Sequence, residues 1–159
     1  MTAPGEQYFR FPRQLLESAA WRVLNINERR AFDCIMGEHQ RKSGNVNGGL
    51  PVTRRDFERC GIHPKHITAA LRVLQALGII EMTRIMGGSR NGRSPNLYRP
   101  TFTPTTSKLK DATHLYLEIK TVEEAERLAE LHRYHEKRTD RMSLPRMRKR
   151  GPAVPMNAA

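Results

Sequence analysis

The chain has 159 residues, 38% apolar and 28% charged, with 28 Lys and Arg against 16 Asp and Glu for a net charge of +12. That length suggests about one domain, and no apolar run approaches the roughly 20 residues needed to cross a bilayer. A positive excess of this size points to a polyanionic partner, nucleic acid first.

Residues 1–14 mix Pro, Gly and aromatic side chains and are expected as an extended N-terminal arm. They hold no apolar stretch of signal-peptide length, so a cytoplasmic, nucleoid-associated location is expected. The two cysteines, Cys34 and Cys60, suit a reducing compartment rather than a disulfide framework. Leu15, Leu16, Ala19, Ala20, Val23 and Leu24 predict a short first helix with Trp21 packed on it. Asn25 or Asn27 can cap the next helix, Glu28 offsets its dipole, and Ala31, Phe32, Ile35, Met36 and His39 follow at helical spacing. The turn-rich stretch SGNVNGG at 43–49 ends it. Leu50 to Val52 is a very short strand at most. Thr53 and Asp56 are close to a capping box for a brief helix that Gly61 terminates. Pro64 suits the first turn of a third helix, whose apolar stripe is Ile67, Ala70, Leu71, Leu74 and Leu77 and whose stop is Gly78. Ile79 to Ile85 reads as a strand, 86–96 as a glycine-rich loop, and Leu97 to Phe102 as the returning strand. Residues 103–120 form a linker in which Leu115, Leu117 and Ile119 allow either a strand or a helical turn. Thr121 with Glu124 opens a helix over 121–139, with Val122, Ala125, Leu128, Ala129, Leu131 and Tyr134 as its stripe. Residues 140–159 are expected as a basic, disordered tail.

The charge is spread along the chain. Residues 1–102 carry 16 basic and 8 acidic side chains, and 103–159 carry 12 and 8. No acid lies between Glu81 and Asp111, where Arg84, Arg90, Arg93, Arg99, Lys108 and Lys110 fall. A second acid-free run follows Asp140 and holds Arg141, Arg146, Arg148, Lys149 and Arg150. Either run alone reads as a solvated face; two in one short chain favour phosphate binding.

The segment Thr53-Arg54-Arg55-Asp56-Phe57, then Cys60-Gly61-Ile62, then Ile67-x-x-Ala70-Leu71-x-x-Leu74-x-x-Leu77-Gly78-Ile79-Ile80 carries a resemblance. With the hairpin attached, residues 15–102 resemble a winged helix-turn-helix DNA-binding domain of the kind found in bacterial transcription regulators and in plasmid or phage replication initiators. The resemblance implies an α+β, mostly helical fold with a two- or three-stranded wing sheet. It also implies a recognition helix at 64–77 in the major groove and a wing at 86–96 on the flanking backbone or minor groove.

The residues support this independently. Gly61 allows a close turn that Phe57 and Ile62 can seal. Burying Ile67, Leu71 and Leu74 turns Lys65, His66, Thr68, Ala69 and Arg72 outward, with Gln75 at the margin. Thr68 and Ala69 are small enough to approach a thymine methyl, and Arg72 can bond guanine or grip phosphate. Arg54 and Arg55 stand in a helix first turn, where basic charge opposes the dipole unless a phosphate is near. Arg90 and Arg93 flank the turn-forming Asn91-Gly92, and with Arg84 they suit the wing. Arg146, Arg148, Lys149 and Arg150 are the tail's phosphate contacts. Each side chain taken singly is as readily an ordinary solvated one.

Cys60, His63 and His66, spaced by three and three, resemble a metal half-site of a sensing repressor, as do His132 and His135 on the last helix. The plainer account is a buried Cys60, a capping His63 and a phosphate-contacting His66. Gly87-Gly88-Ser89 lacks the Gly-Lys-Ser/Thr of a phosphate loop. Glu123 and Glu124 are explained by the helix dipole, and no nucleophile motif is present, so no enzyme and no cofactor are expected. An architectural or RNA-binding role is a further alternative. The last helix either returns to its own domain or pairs two copies as a homodimer.

Overall fold

The computed structural model describes residues 11–42, 47–84, 88–89, 92–93, 95–104 and 112–141, with side chains at all of these except 84, 88–89, 92–93 and 134–141. Two short helices replace the single first helix that the pattern predicts: α1 (Arg13–Glu17) and α2 (Ala19–Arg22). Ser18 divides them. Its backbone is extended, and its hydroxyl accepts the Trp21 N–H at 3.2 Å, so a capping side chain restarts the helix. The expected arm also ends sooner than residue 14. Helix begins at Arg13, and Phe11 stacks edge-on against Trp21 at 5.3 Å and Phe32 at 5.5 Å. Aromatic burial outweighs the extended bias of the flanking residues.

Asn25 then opens α3 (Ile26–Arg41) with a full capping box. Its side-chain oxygen accepts the N–H groups of Asn27 and Glu28 at 2.9 and 3.0 Å, and Glu28 accepts the Asn25 N–H at 2.7 Å. Ala31, Phe32, Ile35 and Met36 face the core, as their spacing requires. Strand β1 (Leu50–Val52) leads to α4 (Arg54–Arg59) and α5 (Pro64–Ala76). β2 (Ile80–Arg84) and β5 (Asn96–Pro100) follow, with the small ladder of β3 (Gly88–Ser89) and β4 (Gly92–Arg93) between them. The main sheet is antiparallel in the order β1-β5-β2, with Leu50 opposite Tyr98 and a register shift between Met82 and Arg84. The fold is α+β and mostly helical, with a three-stranded main sheet and a two-stranded ladder.

Boundaries around the hairpin differ from the sequence reading, and the returning strand ends at Pro100 rather than Phe102. Ile79 is not in a strand: its N–H closes the end of α5 on the Leu74 carbonyl at 3.0 Å, and its own carbonyl accepts the Thr101 N–H at 3.1 Å. The stretch expected as one loop over 86–96 contains β3 and β4, and Gly92 is a strand residue rather than part of a turn. Of the two forms that the pattern allowed for residues 115–117, the structure has the helical one, a 3-10 turn, and just before it the N–H groups of Thr113 and His114 both bond the Thr101 carbonyl, at 2.9 and 3.1 Å. Tyr116 is wholly buried there.

The last helix, α6 (Val122–Arg141), runs beyond the expected boundary and takes in Asp140, which was assigned to the tail; residues 142–159 lie outside the described residues. Of the two destinations weighed for it, α6 returns to its own chain and packs on α5 and α2. Ala125 and Ala129 are wholly buried there, small enough for close helix approach. Leu131, expected in the stripe, is 55% exposed, so the buried face is narrower than the pattern suggested. Arg133 fixes the docking: it meets the Glu28 carboxylate with two bonds of 2.6 Å and donates to the Val23 carbonyl at 3.0 Å. Among the described residues no helix is long and apolar enough to cross a membrane.

Two stability predictions follow from the packing. Gly78 has φ +67°, and a Cβ there would lie 2.8 Å from the Leu115 backbone, whereas a Cβ on Gly37 would meet nothing. Gly78→Ala is expected to cost about 2–4 kcal/mol and Gly37→Ala to add about 0.5–1 kcal/mol in urea unfolding; equal effects would refute the packing of the 115–117 turn on α5. His39 is 5% exposed, and neither ring nitrogen has a partner among the described residues. Burial lowers its pKa below the ordinary value of 6.5. The unfolded chain therefore takes up the proton first as pH falls, and stability is full above about pH 6.5 and declines below it. His39→Leu is expected to flatten the loss between about pH 7 and pH 5; a variant that declines as steeply as the wild type would contradict this.

Candidate functional site

The candidate surface is built on the α4–turn–α5 unit. Thr53 and Asp56 form a second capping box: Thr53 Oγ1 accepts the Asp56 N–H at 3.3 Å, and Asp56 accepts the Thr53 N–H at 2.9 Å and its hydroxyl at 2.6 Å. The hydroxyl and N–H of Thr53 hold the Asp56 carboxyl below the usual carboxylate range. At the other end Gly61 takes φ +82°, and its N–H and that of Ile62 return to the carbonyls of Glu58 and Phe57 at 2.9 and 3.2 Å. This is the left-handed helix stop for which glycine is favoured. Arg30 of α3 donates to the Gly61 carbonyl at 2.8 Å and braces the turn from behind.

His63 then caps α5. Its Nδ1 accepts the Lys65 N–H at 3.3 Å, and Pro64 fills the first helical position, where a missing N–H costs nothing. Arg54 donates to the Pro64 carbonyl at 2.7 Å and lies 3.8 Å from Glu58. It therefore ties the start of α4 to the start of α5, a positioning role absent from the sequence reading. Phe57 and Ile62 are buried in the angle between the helices, and Phe57 meets Tyr98 of β5 edge-on at 6.0 Å.

On α5 the stripe Ile67, Ala70, Leu71 and Leu74 is buried as expected, and so is Val73, which the pattern omitted. The helix is flanked by α3 and by α6, so its buried arc is wider than one stripe. Lys65, His66, Thr68 and Arg72 remain exposed, whereas Ala69 and Gln75 are half-buried and Gln75 donates to the Leu71 carbonyl at 3.1 Å. Lys65, Thr68 and Arg72 fall at i, i+3 and i+7, one face of the helix. No acid stands in the first turn of α5, so its dipole adds to the charge of Lys65.

The side chains of Arg55, Lys65 and Arg72 have no hydrogen-bond or ion-pair partner among the described residues; elsewhere Arg22, Lys42 and Arg127 share that state, as does Arg29, which lies over the Trp21 ring. By contrast Arg13, Arg41, Arg59 and Arg133 are paired with carboxylates. Arg99, counted in the acid-free run, does not reach the surface. It is 6% exposed and paired with Glu81 across the sheet, with Thr113 Oγ1 at 3.4 Å. Arg84 and Arg93 have described backbones in β2 and β4 without described side chains. Arg90, Asn91, Arg146, Arg148, Lys149 and Arg150 lie outside the described residues.

The metal half-site does not assemble. His63 is used as a cap, His66 meets its ring edge-on at 6.0 Å, and Cys60 lies against Cys34. Among the described residues no three His, Cys, Asp or Glu side chains converge.

Sequence reasoning missed Arg30, Arg133 and the engagement of Arg54, because each bonds a backbone carbonyl or carboxylate whose place depends on the fold. Compared with protein-family models, curated proteins and solved structures, the chain has no match, and its functional reading rests on its own residues.

Proposed function

We propose that this chain is a winged helix-turn-helix protein that binds double-stranded DNA with sequence preference and acts as a transcription regulator. In this reading α5 is the recognition helix, and the β2–β5 hairpin with Arg90 and Arg93 is the wing. The observation that carries it is the asymmetry of α5: one arc wholly buried between α3 and α6, the other offering Lys65, His66, Thr68 and Arg72. A helix with one free polar face fits a major groove about 12 Å wide, with its N-terminal half nearest the base edges.

Thr68, with Ala69 beside it, permits close approach, and Arg72 supplies a forked donor for guanine or phosphate. Arg55 stands next to Arg54 in the first turn of α4 and is free to meet the backbone. Arg54 contributes indirectly, by holding the two helix starts together. The wing and the basic tail add affinity without reading sequence. With about six phosphates engaged, log affinity falls against log salt with a slope near −5.

The test is filter binding on sites selected from a random duplex pool, followed by titration on the protein's own promoter and on a replication origin. Arg72→Ala or Thr68→Ala is expected to weaken selected sites by about tenfold more than random DNA. Replacing Arg90 and Arg93 together by Ala is expected to weaken both and to flatten the salt slope by about 1–2. Variants that titrate like the wild type would overturn the assigned surface, and preferential binding to origin repeats would move the role from transcription to replication initiation.

A further inference from the structure

The two cysteines lie 26 positions apart in sequence and side by side in the fold. Cys34 is one helical turn beyond Arg30 on α3, and Arg30 bonds the carbonyl of Gly61 at 2.8 Å. That contact sets the 30/34 face of α3 against residues 60–61, where Cys60 forms the C-cap of α4. Both side chains are half-buried, and the two thiols are neighbours where α3 packs on α4. Neither is used by the surface described above.

We propose that Cys34 and Cys60 form a dithiol modification site that closes to a reversible intramolecular disulfide on reaction with a small-molecule disulfide, cross-linking α3 to the turn that leads into α5. Two thiols from elements already packed together need only a small adjustment to bring the sulfurs to bonding distance, about 2.05 Å. The backbone bonds that close α4 at Cys60, Gly61 and Ile62, and the Arg30 bond to the Gly61 carbonyl, hold the two elements in place, so the adjustment falls on side-chain rotation.

The exchange balances as follows. Cys60 gives its proton to solvent and attacks one sulfur of the small disulfide, and the other half leaves as a thiolate. Cys34 then gives its proton to solvent and attacks the Cys60 sulfur, expelling the second thiolate. The protein loses two protons and two electrons, and the small disulfide becomes two thiols. The order follows from the environment of Cys34, where burial, with Cys60 beside it, raises its pKa and makes it the slower of the two to react first.

The test uses the full chain equilibrated in buffers of reduced and oxidised glutathione, quenched with maleimide and read by intact mass and peptide mapping. The oxidised monomer is expected to lose the mass of two hydrogens, take up no maleimide, yield a joined Cys34–Cys60 peptide and return to the dithiol with dithiothreitol. At a fixed glutathione ratio, the oxidised-to-reduced ratio is expected to be at least about tenfold higher for the folded chain than in guanidinium, because only the fold holds the sulfurs together. In Cys34→Ser, Cys60 is expected to stop at a glutathione adduct. Two maleimide-reactive thiols at every buffer ratio, a lasting glutathione adduct on the wild type, a cross-link between chains, or no advantage of the folded state would each overturn the proposal.

Discussion

A buried carboxylate organises the molecule. Glu28 is 1% exposed, and an ionised group so placed costs several kcal/mol unless its oxygens are met. Two of its partners are local, the backbone N–H and side-chain amide of Asn25. The neutralising charge comes from Arg133, 105 positions further on, whose own pKa rises because Glu28 hydrogen-bonds it. Two parallel donors from a planar guanidinium fix angle as well as distance. The pair therefore sets the register in which α6 lies along the body, and the small residues Ala125 and Ala129 let it lie close. Once α6 is seated, α5 is enclosed on both flanks and has one face left for solvent.

The far end of α5 is fixed by a different device. Gly78 ends the helix in a left-handed conformation with its carbonyl turned to the Thr101 hydroxyl at 2.7 Å. The same hydroxyl lies 3.1 Å from the Ile79 carbonyl, and the Thr101 carbonyl receives the N–H groups of Thr113 and His114. One threonine thus joins the end of α5, the exit of β5 and the return path to α6. The hairpin starts within two residues of that junction, so the base of β2–β5 and the free face of α5 share a rigid origin. On the proposed reading, this is what would let a groove-lying helix and a wing meet one duplex in a fixed relation.

What could be read from the sequence was local. Asn25 or Asn27 with Glu28, and Thr53 with Asp56, announce helix ends through local capping, Pro64 by its fixed backbone and Gly78 by its left-handed conformation, and the structure has those ends, with Asn25 as the cap. The exposed set Lys65, His66, Thr68 and Arg72 follows from the inward stripe by helix geometry alone. What was not legible depends on contacts distant in sequence. Val73 is buried on a helix flanked by both α3 and α6; Arg99 is buried with Glu81 opposite it in the ladder; Leu131 is exposed while Ala125, Ala129 and, in part, Leu128 carry the contact of α6. Ser18 is the local exception: a hydroxyl able to cap was present, yet the apolar run across it reads as continuous.

The cations sort by what they do. Where an arginine holds the fold, it is paired or bonded to a carbonyl: Arg30 on Gly61, Arg54 on Pro64, Arg99 on Glu81, Arg133 on Glu28. Arg55, Lys65 and Arg72 contribute nothing of this kind. Arg55 stands in a helix first turn, where a positive charge is unfavourable by a few tenths of a kcal/mol. Lys65 has the same relation to the dipole of α5, with no acid beside it to offset the cost. Neutral side chains would suit the isolated fold as well or better. Unpaired cations set at two adjacent helix starts are favourable once an anion approaches, because dipole and side chain then act in the same direction. This sign reversal is the physical reason for taking phosphate, rather than solvent, as the intended neighbour of the face.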